Sequence, residues 1–190
     1  MREAVLLRAG KVGVIPTDTL YALAAVAMHE AAVQRVYLLK KRTPSKPCII
    51  LIDALDALST FDVVISVTQR EVLARVWPGE VSVVLACGTT APEYLHRGTG
   101  TLAFRLPANQ ELRNLIRESG PLIAPSANPE SFSPATTIEE AKNYFHENVD
   151  FYKDGGTRAG MPSTLIMLGV DGKISVLRKG RAAHSGLYRK

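Results

Sequence analysis

The sequence has few cysteines and few aromatic residues, and it lacks any long hydrophobic run. Its two cysteines, Cys48 and Cys87, lie in apolar strand-like segments, which is typical of reduced core thiols rather than of a disulfide. No apolar run approaches the roughly 20 residues that a membrane-spanning helix needs. Arg8 and Lys11 interrupt the first apolar stretch, which therefore lacks the pattern of a signal peptide. We expect a cytoplasmic protein without membrane contact.

Several motifs that mark common active sites are also missing. The sequence has no GxxxxGKS/T phosphate-binding loop, no GxGxxG dinucleotide motif and no GxSxG nucleophile elbow. The four histidines are widely separated and lack metal-ligand spacing: His29, His96, His146 and His184. These absences argue against a P-loop nucleoside triphosphatase, a dehydrogenase with a dinucleotide-binding motif and an α/β-hydrolase. We predict no metal ligands among the protein side chains.

The composition that remains is that of an ordinary globular domain. The chain has 190 residues, of which 46% are hydrophobic and 22% charged, enough for one domain with its own core. Short apolar runs alternate with helical patterns, so the predicted fold class is α/β with one mixed sheet. The predicted strands are 12–15, 48–52, 81–87, 101–106, 122–124, 164–168 and 174–177, and the predicted helices are 29–40, 68–77, 109–119 and 137–146.

Positive charge is in excess and is unevenly distributed. The chain has 23 Lys and Arg against 18 Asp and Glu, which gives a net charge of +5. Two segments without any acidic residue, 31–52 and 172–190, hold 11 of these cations. The first includes a proline-bracketed basic loop, 40–47, whose rigidity suits it to hold phosphate groups. A solvated helix end is the alternative, and the charge alone leaves nucleic acid and smaller anions both open as partners.

Small hydroxyl side chains are concentrated in turns that follow or precede predicted strands. Each of these turns also contains a proline, and in an open α/β sheet such loops form the ligand crevice. The residues are Thr17 and Thr19 after Pro16, Ser126 and Asn128 after Pro125, and Ser163 and Thr164 after Pro162. Asp18 and Asp154 are the only acids in the candidate loops, so catalysis by positioned cations and hydroxyls fits better than an acid–base pair of carboxylates.

Five motifs in this order resemble the YrdC/TsaC family of threonylcarbamoyl-AMP synthases. They are PTDTLYAL at 16–23, KKRTPSKP at 40–47, FRLP at 104–107, PSANP at 125–129 and PSTLI at 162–166. The resemblance extends from about Leu7 to Gly180. It implies a YrdC-like domain over 1–180. The basic segment 181–190 matches nothing in the family pattern, and we expect it to be a disordered tail.

The resemblance implies both a fold and a reaction. The fold is a twisted sheet with helices on both sides, built around a positively charged cavity. The reaction joins L-threonine, bicarbonate and ATP into threonylcarbamoyl-AMP and releases pyrophosphate, with Mg²⁺ bound to the nucleotide. Separate threonylcarbamoyl-transfer proteins then modify tRNA, so contact with tRNA or double-stranded RNA is a further expectation.

The resemblance also assigns residues. The catalytic set is Lys40, Arg42, Ser126 and Asn128. The threonine-binding set is Thr17, Tyr21, Thr101, Arg105 and Ser163. The ATP-binding set is Lys40, Arg42, Lys46, Ser126, Asn128, Thr136 and Arg178.

The sequence departs from the family pattern at several positions. Ala22 stands where glycine is usual, Leu51 replaces a polar residue of some members, and Pro129 and Ser131 replace an apolar residue and a glycine. The last change puts a positive φ angle in the turn after Asn128 in question. Two alternatives stay open: a YrdC-like paralog without synthase activity, and an RNA-binding protein without chemistry of its own.

Overall fold

The strands of the protein form one mixed sheet. The computed structural model describes residues 1–158 and 160–184. The strands are β1 Gly13–Pro16, β2 Tyr21–Val26, β3 Ile49–Leu51, β4 Val81–Ala86, β5 Thr101–Arg105, β6 Leu122–Ile123, β7 Phe151–Tyr152, β8 Thr164–Leu168 and β9 Ile174–Arg178. Their order across the sheet is β7-β1-β2-β6-β3-β5-β4-β8-β9. The predicted α/β class with a mixed sheet is confirmed.

Helices cover both faces of the sheet, because successive strand residues point to opposite sides. The α-helices are α1 Arg2–Arg8, α2 Glu30–Lys40, α3 Val67–Val76, α4 Glu93–His96, α5 Gln110–Ser119 and α6 Ile138–Phe145. On one face, Leu7 of α1 and Ile116 of α5 pack with Ile15 and Ala24 of the sheet. On the other face, Val14, Leu23 and their neighbours form the larger core with α2, α3 and α6.

The four predicted helices all form, and local capping explains where they begin. Ser66 and Gln69 make a reciprocal capping box at the start of α3, and the side chains of Asn109 and Thr137 cap α5 and α6. Sequence reasoning missed α1, α4, β7 and β2. Strand β2 is rich in alanine and buried on both faces, so it lacks the alternation that marks a strand.

Strand β2 is joined to β1 by a tight turn over residues 17–20. The Thr17 N–H donates to the Leu20 carbonyl at 3.0 Å, and the two strands pair antiparallel from Gly13 opposite Ala24 to Pro16 opposite Tyr21. The first hydroxyl turn of the sequence is therefore a hairpin turn at one end of the sheet.

The predicted basic tail is only partly within the described residues. Arg181–His184 form a 3₁₀ turn. The Arg181 N–H donates to the Pro162 carbonyl at 2.9 Å, and its guanidinium lies 3.3 Å from the Glu80 carboxylate. This first part of the tail is therefore in contact with the domain, whereas 185–190 lie outside the described residues. In the part of the chain that is described, no helix has the length and apolarity needed to cross a bilayer.

Candidate active site

The three hydroxyl turns meet at one cavity of about 190 Å³. Pairing within the sheet explains this, since an isolated bridge joins Ala22 of β2 to Ser126 just after β6. The start of β8 lies beside the end of β5 because β4 is parallel to β8 and antiparallel to β5. Eight of the predicted site residues line the cavity: Thr17, Tyr21, Lys40, Arg42, Arg105, Ser126, Ser163 and Arg178.

Four of the lining side chains are cationic: Lys40, Arg42, Arg105 and Arg178. Asp18 pairs with Arg105, but no acid lines the cavity itself within the described residues. Burial, followed by repulsion from Arg42 and Arg105, lowers the pKa of Arg178. An excess of fixed positive charge in a half-enclosed space favours ligands with several negative charges.

Arg105 is held in a fixed orientation from the turn between β1 and β2. Its Nη2 donates to Asp18 Oδ1 at 2.7 Å, and its Nη1 lies 3.3 Å from Thr19 Oγ1. Burial lowers the pKa of the Arg105 guanidinium, which is only 3% exposed, and the Asp18 carboxylate opposes that shift. The second oxygen of Asp18, Oδ2, is buried and accepts no hydrogen bond from a described residue.

The Thr17 hydroxyl closes the hairpin turn. It accepts from the N–H groups of Thr19 and Leu20 at 3.2 and 3.1 Å and donates to the Leu20 carbonyl at 2.6 Å. This is the hydroxyl-to-backbone bonding that Ser and Thr provide in turns. Thr17 therefore shapes the cavity wall mainly by holding the turn that carries Asp18 and Thr19.

Lys40 is directed at the turn after β6. Its Nζ lies within 2.8 Å of the carbonyls of Ser126 and Asn128, 3.1 Å from Asn128 Oδ1 and 3.4 Å from Ser126 Oγ. An ammonium has three protons to donate, so these four oxygens occupy it fully. Burial and the neighbouring Arg42 lower the pKa of Lys40 to about 8. In this structure Lys40 lines the cavity and holds the turn after β6.

Asn128 lies behind the cavity wall rather than in it. Its Nδ2 donates to the carbonyls of Pro129 and Phe132, both at 2.8 Å, and its Oδ1 accepts from Ser126 Oγ at 2.6 Å. Asn128 therefore organises the 126–131 turn from inside, while Ser126 faces the cavity. The structure does not bring Asn128 itself to the ligand space.

Tyr21 lines the cavity, and its hydroxyl bonds to a separate loop. The hydroxyl donates to the Gly156 carbonyl at 2.8 Å, contacts Asp154 Oδ1 at 3.1 Å and accepts from the Gly155 N–H at 2.8 Å. Burial is the largest cause that raises the pKa of Tyr21. Tyr21 thus attaches the 154–156 segment to β2.

Ser163 and Arg178 also line the cavity and contact each other. The Ser163 hydroxyl lies 2.8 Å from Ser82 Oγ, and Arg178 Nη2 donates to the Ser163 carbonyl at 3.0 Å. The register of β8 and β9 brings these residues together, because Leu165 pairs with Arg178. Sequence reasoning missed Ser82, which sits inside an apolar strand where one hydroxyl carries no visible signal.

Three predicted site residues lie away from the cavity. The Lys46 ammonium pairs with Glu130 Oε1 at 2.6 Å and is largely exposed. The Thr136 hydroxyl donates to Glu140 Oε2 at 3.0 Å at the start of α6. The Thr101 hydroxyl bonds to Thr99 at 3.1 Å.

The structure therefore does not bring Thr101 to the cavity that the other predicted threonine-binding residues line. It begins β5, whereas Arg105 ends that strand. Four residues of extended chain place them about 13 Å apart. A family motif read from sequence does not show which end of a strand faces the ligand.

The departures from the family pattern lie in and beside the cavity. Ala22 and Leu51 both line it, so each adds apolar surface between the polar groups. Ser131 has a φ angle of 75°. The turn therefore keeps the backbone conformation that glycine adopts most easily, although the residue is serine.

The described residues contain no group of three or more His, Cys, Asp or Glu side chains placed to hold a metal ion. Cys48 and Cys87 are both free thiols, as predicted.

The amino-acid sequence matches one family model and several relatives with assigned names. The family model Sua5_yciO_yrdC, described as telomere recombination, matches residues 5–180. A threonylcarbamoyl-AMP synthase of Pyrococcus abyssi is 34% identical over 85% of this chain and 48% of its own length. One of Thiobacillus denitrificans is 35% identical over 88% of this chain and 89% of its own length. The chain spans about half the length of the curated relatives from Pyrococcus abyssi and Bacillus subtilis.

Solved structures show the same likeness. P. abyssi Sua5 complexed with L-threonine has a TM-score of 0.86 and 33% identity, over 94% of this chain and 53% of that one. E. coli YciO has a TM-score of 0.83 and 25% identity, over 94% of this chain and 87% of that one. The identity to the Sua5 protein is therefore higher than the identity to the YciO protein.

Proposed function

Because the chain belongs to the Sua5/YciO/YrdC family, we propose that it is an L-threonylcarbamoyladenylate synthase. It would condense L-threonine, bicarbonate and ATP into threonylcarbamoyl-AMP and pyrophosphate. The observation that carries this proposal is a single cavity with four cationic side chains and three hydroxyl turns. ATP brings about four negative charges and the other two substrates add more, so their assembly in one place requires fixed positive charge.

The reaction would proceed in two steps. The deprotonated amine of threonine attacks the carbon of bicarbonate, a C–N bond forms, and water leaves to give a carbamate. A carbamate oxygen then attacks the α-phosphorus in line, and the bond to the β-phosphate oxygen breaks to release pyrophosphate. The protein contributes positioning and charge neutralisation, as in other phosphoryl chemistry.

The geometry suggests a division of labour among the cationic side chains. Arg105, oriented by Asp18, binds the threonine carboxylate, and Ser163 faces the same space. Arg42 and Arg178 neutralise phosphate oxygens. Lys40 acts indirectly, by holding the turn that presents Ser126.

We propose that Mg²⁺ enters with the nucleotide, bound by phosphate oxygens and water, which are the ligands this ion prefers. When bound, it supplies additional charge neutralisation at the phosphates. We also propose a cytoplasmic location, with threonylcarbamoyl-transfer proteins that use the product to modify tRNA.

The test is a radiolabelled-threonine assay with ATP and bicarbonate, combined with measurement of pyrophosphate release. The wild-type chain should form a threonylcarbamoyl-adenylate product, and Arg42→Ala should lower kcat/KM by about a hundredfold, because it removes a charge-assisted contact to phosphate. Arg70→Ala is the matched control, since Arg70 is exposed on α3 and distant in sequence from the site.

Two results would contradict the proposal. One is the absence of threonine- and bicarbonate-dependent pyrophosphate release by the folded wild-type chain. The other is full activity of Arg42→Ala. Tight, salt-sensitive RNA binding without ATP turnover would support the RNA-binding alternative instead.

A further inference from the structure

Glu130 joins two segments that contribute residues to the cavity wall, namely the 40–47 loop, which carries Arg42, and the 126–131 turn. Its carboxylate accepts hydrogen bonds from the Thr43 backbone N–H, from the Thr43 hydroxyl at 2.9 Å and from the Lys46 ammonium at 2.6 Å. Its own N–H donates to the Lys40 carbonyl at 2.6 Å. One residue of the 126–131 turn therefore connects to the 40–47 loop at three places.

The donors around Glu130 have the chemistry of an anion site. A backbone N–H, a hydroxyl and an ammonium are the groups that bind phosphate oxygens in proteins. Their combined hydrogen bonds lower the pKa of the Glu130 carboxyl to about 2, so the side chain is charged at neutral pH. The anion that occupies these donors is thus part of the chain itself.

The 40–47 loop also supplies part of the cavity wall. Arg42 Nε donates to the Lys46 carbonyl at 3.0 Å, its Nη2 donates to the Pro47 carbonyl at 2.8 Å, and Arg42 and Pro47 both line the cavity. The Lys46 side chain is 58% exposed and that of Glu130 24% exposed, so an anion in solvent can reach both groups. The anion site and the cavity therefore lie on one continuous loop.

We propose that Glu130 is an internal competitor for phosphate: its carboxylate occupies an anion site formed by Thr43 and Lys46, and the polyphosphate chain of the nucleotide displaces it. The proposal rests on the proposed function in taking a nucleotide as the ligand. A simple surface ion pair would use Lys46 alone. Here the backbone N–H and the hydroxyl of Thr43 also donate to the Glu130 carboxylate. Release of the carboxylate therefore frees three donors for a phosphate group.

The experiment is isothermal titration of the whole chain with inorganic tripolyphosphate, and separately with ATP, without threonine or bicarbonate. Glu130→Gln keeps the side-chain shape and removes the charge, so both ligands should bind about fivefold more tightly, the scale expected for an exposed ion pair. Glu139→Gln, which removes an equal charge from an exposed position on α6, should leave both Kd values unchanged.

A second variant separates local competition from general electrostatics. In a Lys46→Ala background the site has lost its ammonium, so Glu130→Gln should no longer tighten binding. The proposal is overturned if Glu130→Gln leaves tripolyphosphate binding unchanged or weaker, or if the gain persists without Lys46. A gain in tripolyphosphate affinity by a chain that shows no threonine-dependent pyrophosphate release would support the competitor while contradicting the proposed synthase activity.

Discussion

At the scale of single residues, the turn after Asn128 combines a demanding backbone with an unfavourable residue. Ser131 has a φ angle of 75°. For an L-residue this left-handed conformation brings Cβ close to the following carbonyl oxygen, whereas glycine has no such contact. The hydrogen bonds of Lys40, Asn128 and Glu130 hold the surrounding turn in place.

Replacing Ser131 with glycine should therefore stabilise the protein. We expect Ser131→Gly to raise the free energy of unfolding by about 1 kcal/mol, because relief of the positive φ angle exceeds the added chain entropy of the unfolded state. Urea denaturation measures this change.

Ser133 provides the control for that substitution. It is also exposed in the same segment, but its φ angle is not positive. Ser133→Gly should lower the free energy of unfolding by about 0.5 kcal/mol through chain entropy alone. Equal effects of the two substitutions would contradict the interpretation of Ser131.

At the scale of elements, the site depends on hydrogen bonds between loops rather than on the strands alone. The Tyr21 hydroxyl connects β2 to the 154–156 segment through Asp154, Gly155 and Gly156. Lys40 at the end of α2 similarly connects that helix to the turn after β6. These links explain how short polar turns keep a common orientation around the cavity.

Tyr21→Phe tests the first of these links. The aromatic ring remains, while three hydrogen bonds to the 154–156 segment are lost, so the free energy of unfolding should fall by about 1–3 kcal/mol. Chemical denaturation measures the loss, and Tyr144→Phe serves as the control because the hydroxyl of Tyr144 has one exposed bond, to Ser133. An unchanged stability of Tyr21→Phe would show that the segment is held by other contacts.

At the scale of the whole molecule, topology decides which polar residues meet. Ser163 just before β8 and Arg105 at the end of β5 line one cavity, although they are 58 positions apart along the chain. Thr101 is much nearer to Arg105 in sequence but stands at the opposite end of the same strand.

This arrangement predicts that removal of the Ser163 hydroxyl changes the KM for threonine, whereas removal of the Thr101 hydroxyl does not. Ser163→Ala should raise the KM for threonine by about fivefold, as expected for loss of one hydrogen bond. Thr101→Val should leave that KM unchanged, because its hydroxyl is far from the cavity. Steady-state kinetics with threonine varied at saturating ATP measures both. A raised KM for Thr101→Val alone would contradict the placement of the threonine site.

The sequence by itself determined the α/β class, the four main helices and the family. Helix caps and apolar runs are local signals, and five ordered motifs are specific in combination. Sequence also identified eight residues that line one cavity. It could not assign β2, because a fully buried alanine-rich strand has no alternating pattern.

Only the tertiary structure decided the contacts of each polar side chain. Lys40 and Arg42 are equally basic in sequence and both line the cavity, yet they have different partners. The Lys40 ammonium bonds to the 126–131 turn, whereas Arg42 bonds to carbonyls of its own loop. Lys46 is paired with Glu130, 84 positions away, and Thr101 is separated from Arg105 by the length of β5. The physical reason is that charge and hydroxyl content are properties of a residue, whereas the partner that satisfies them is set by long-range strand and loop packing.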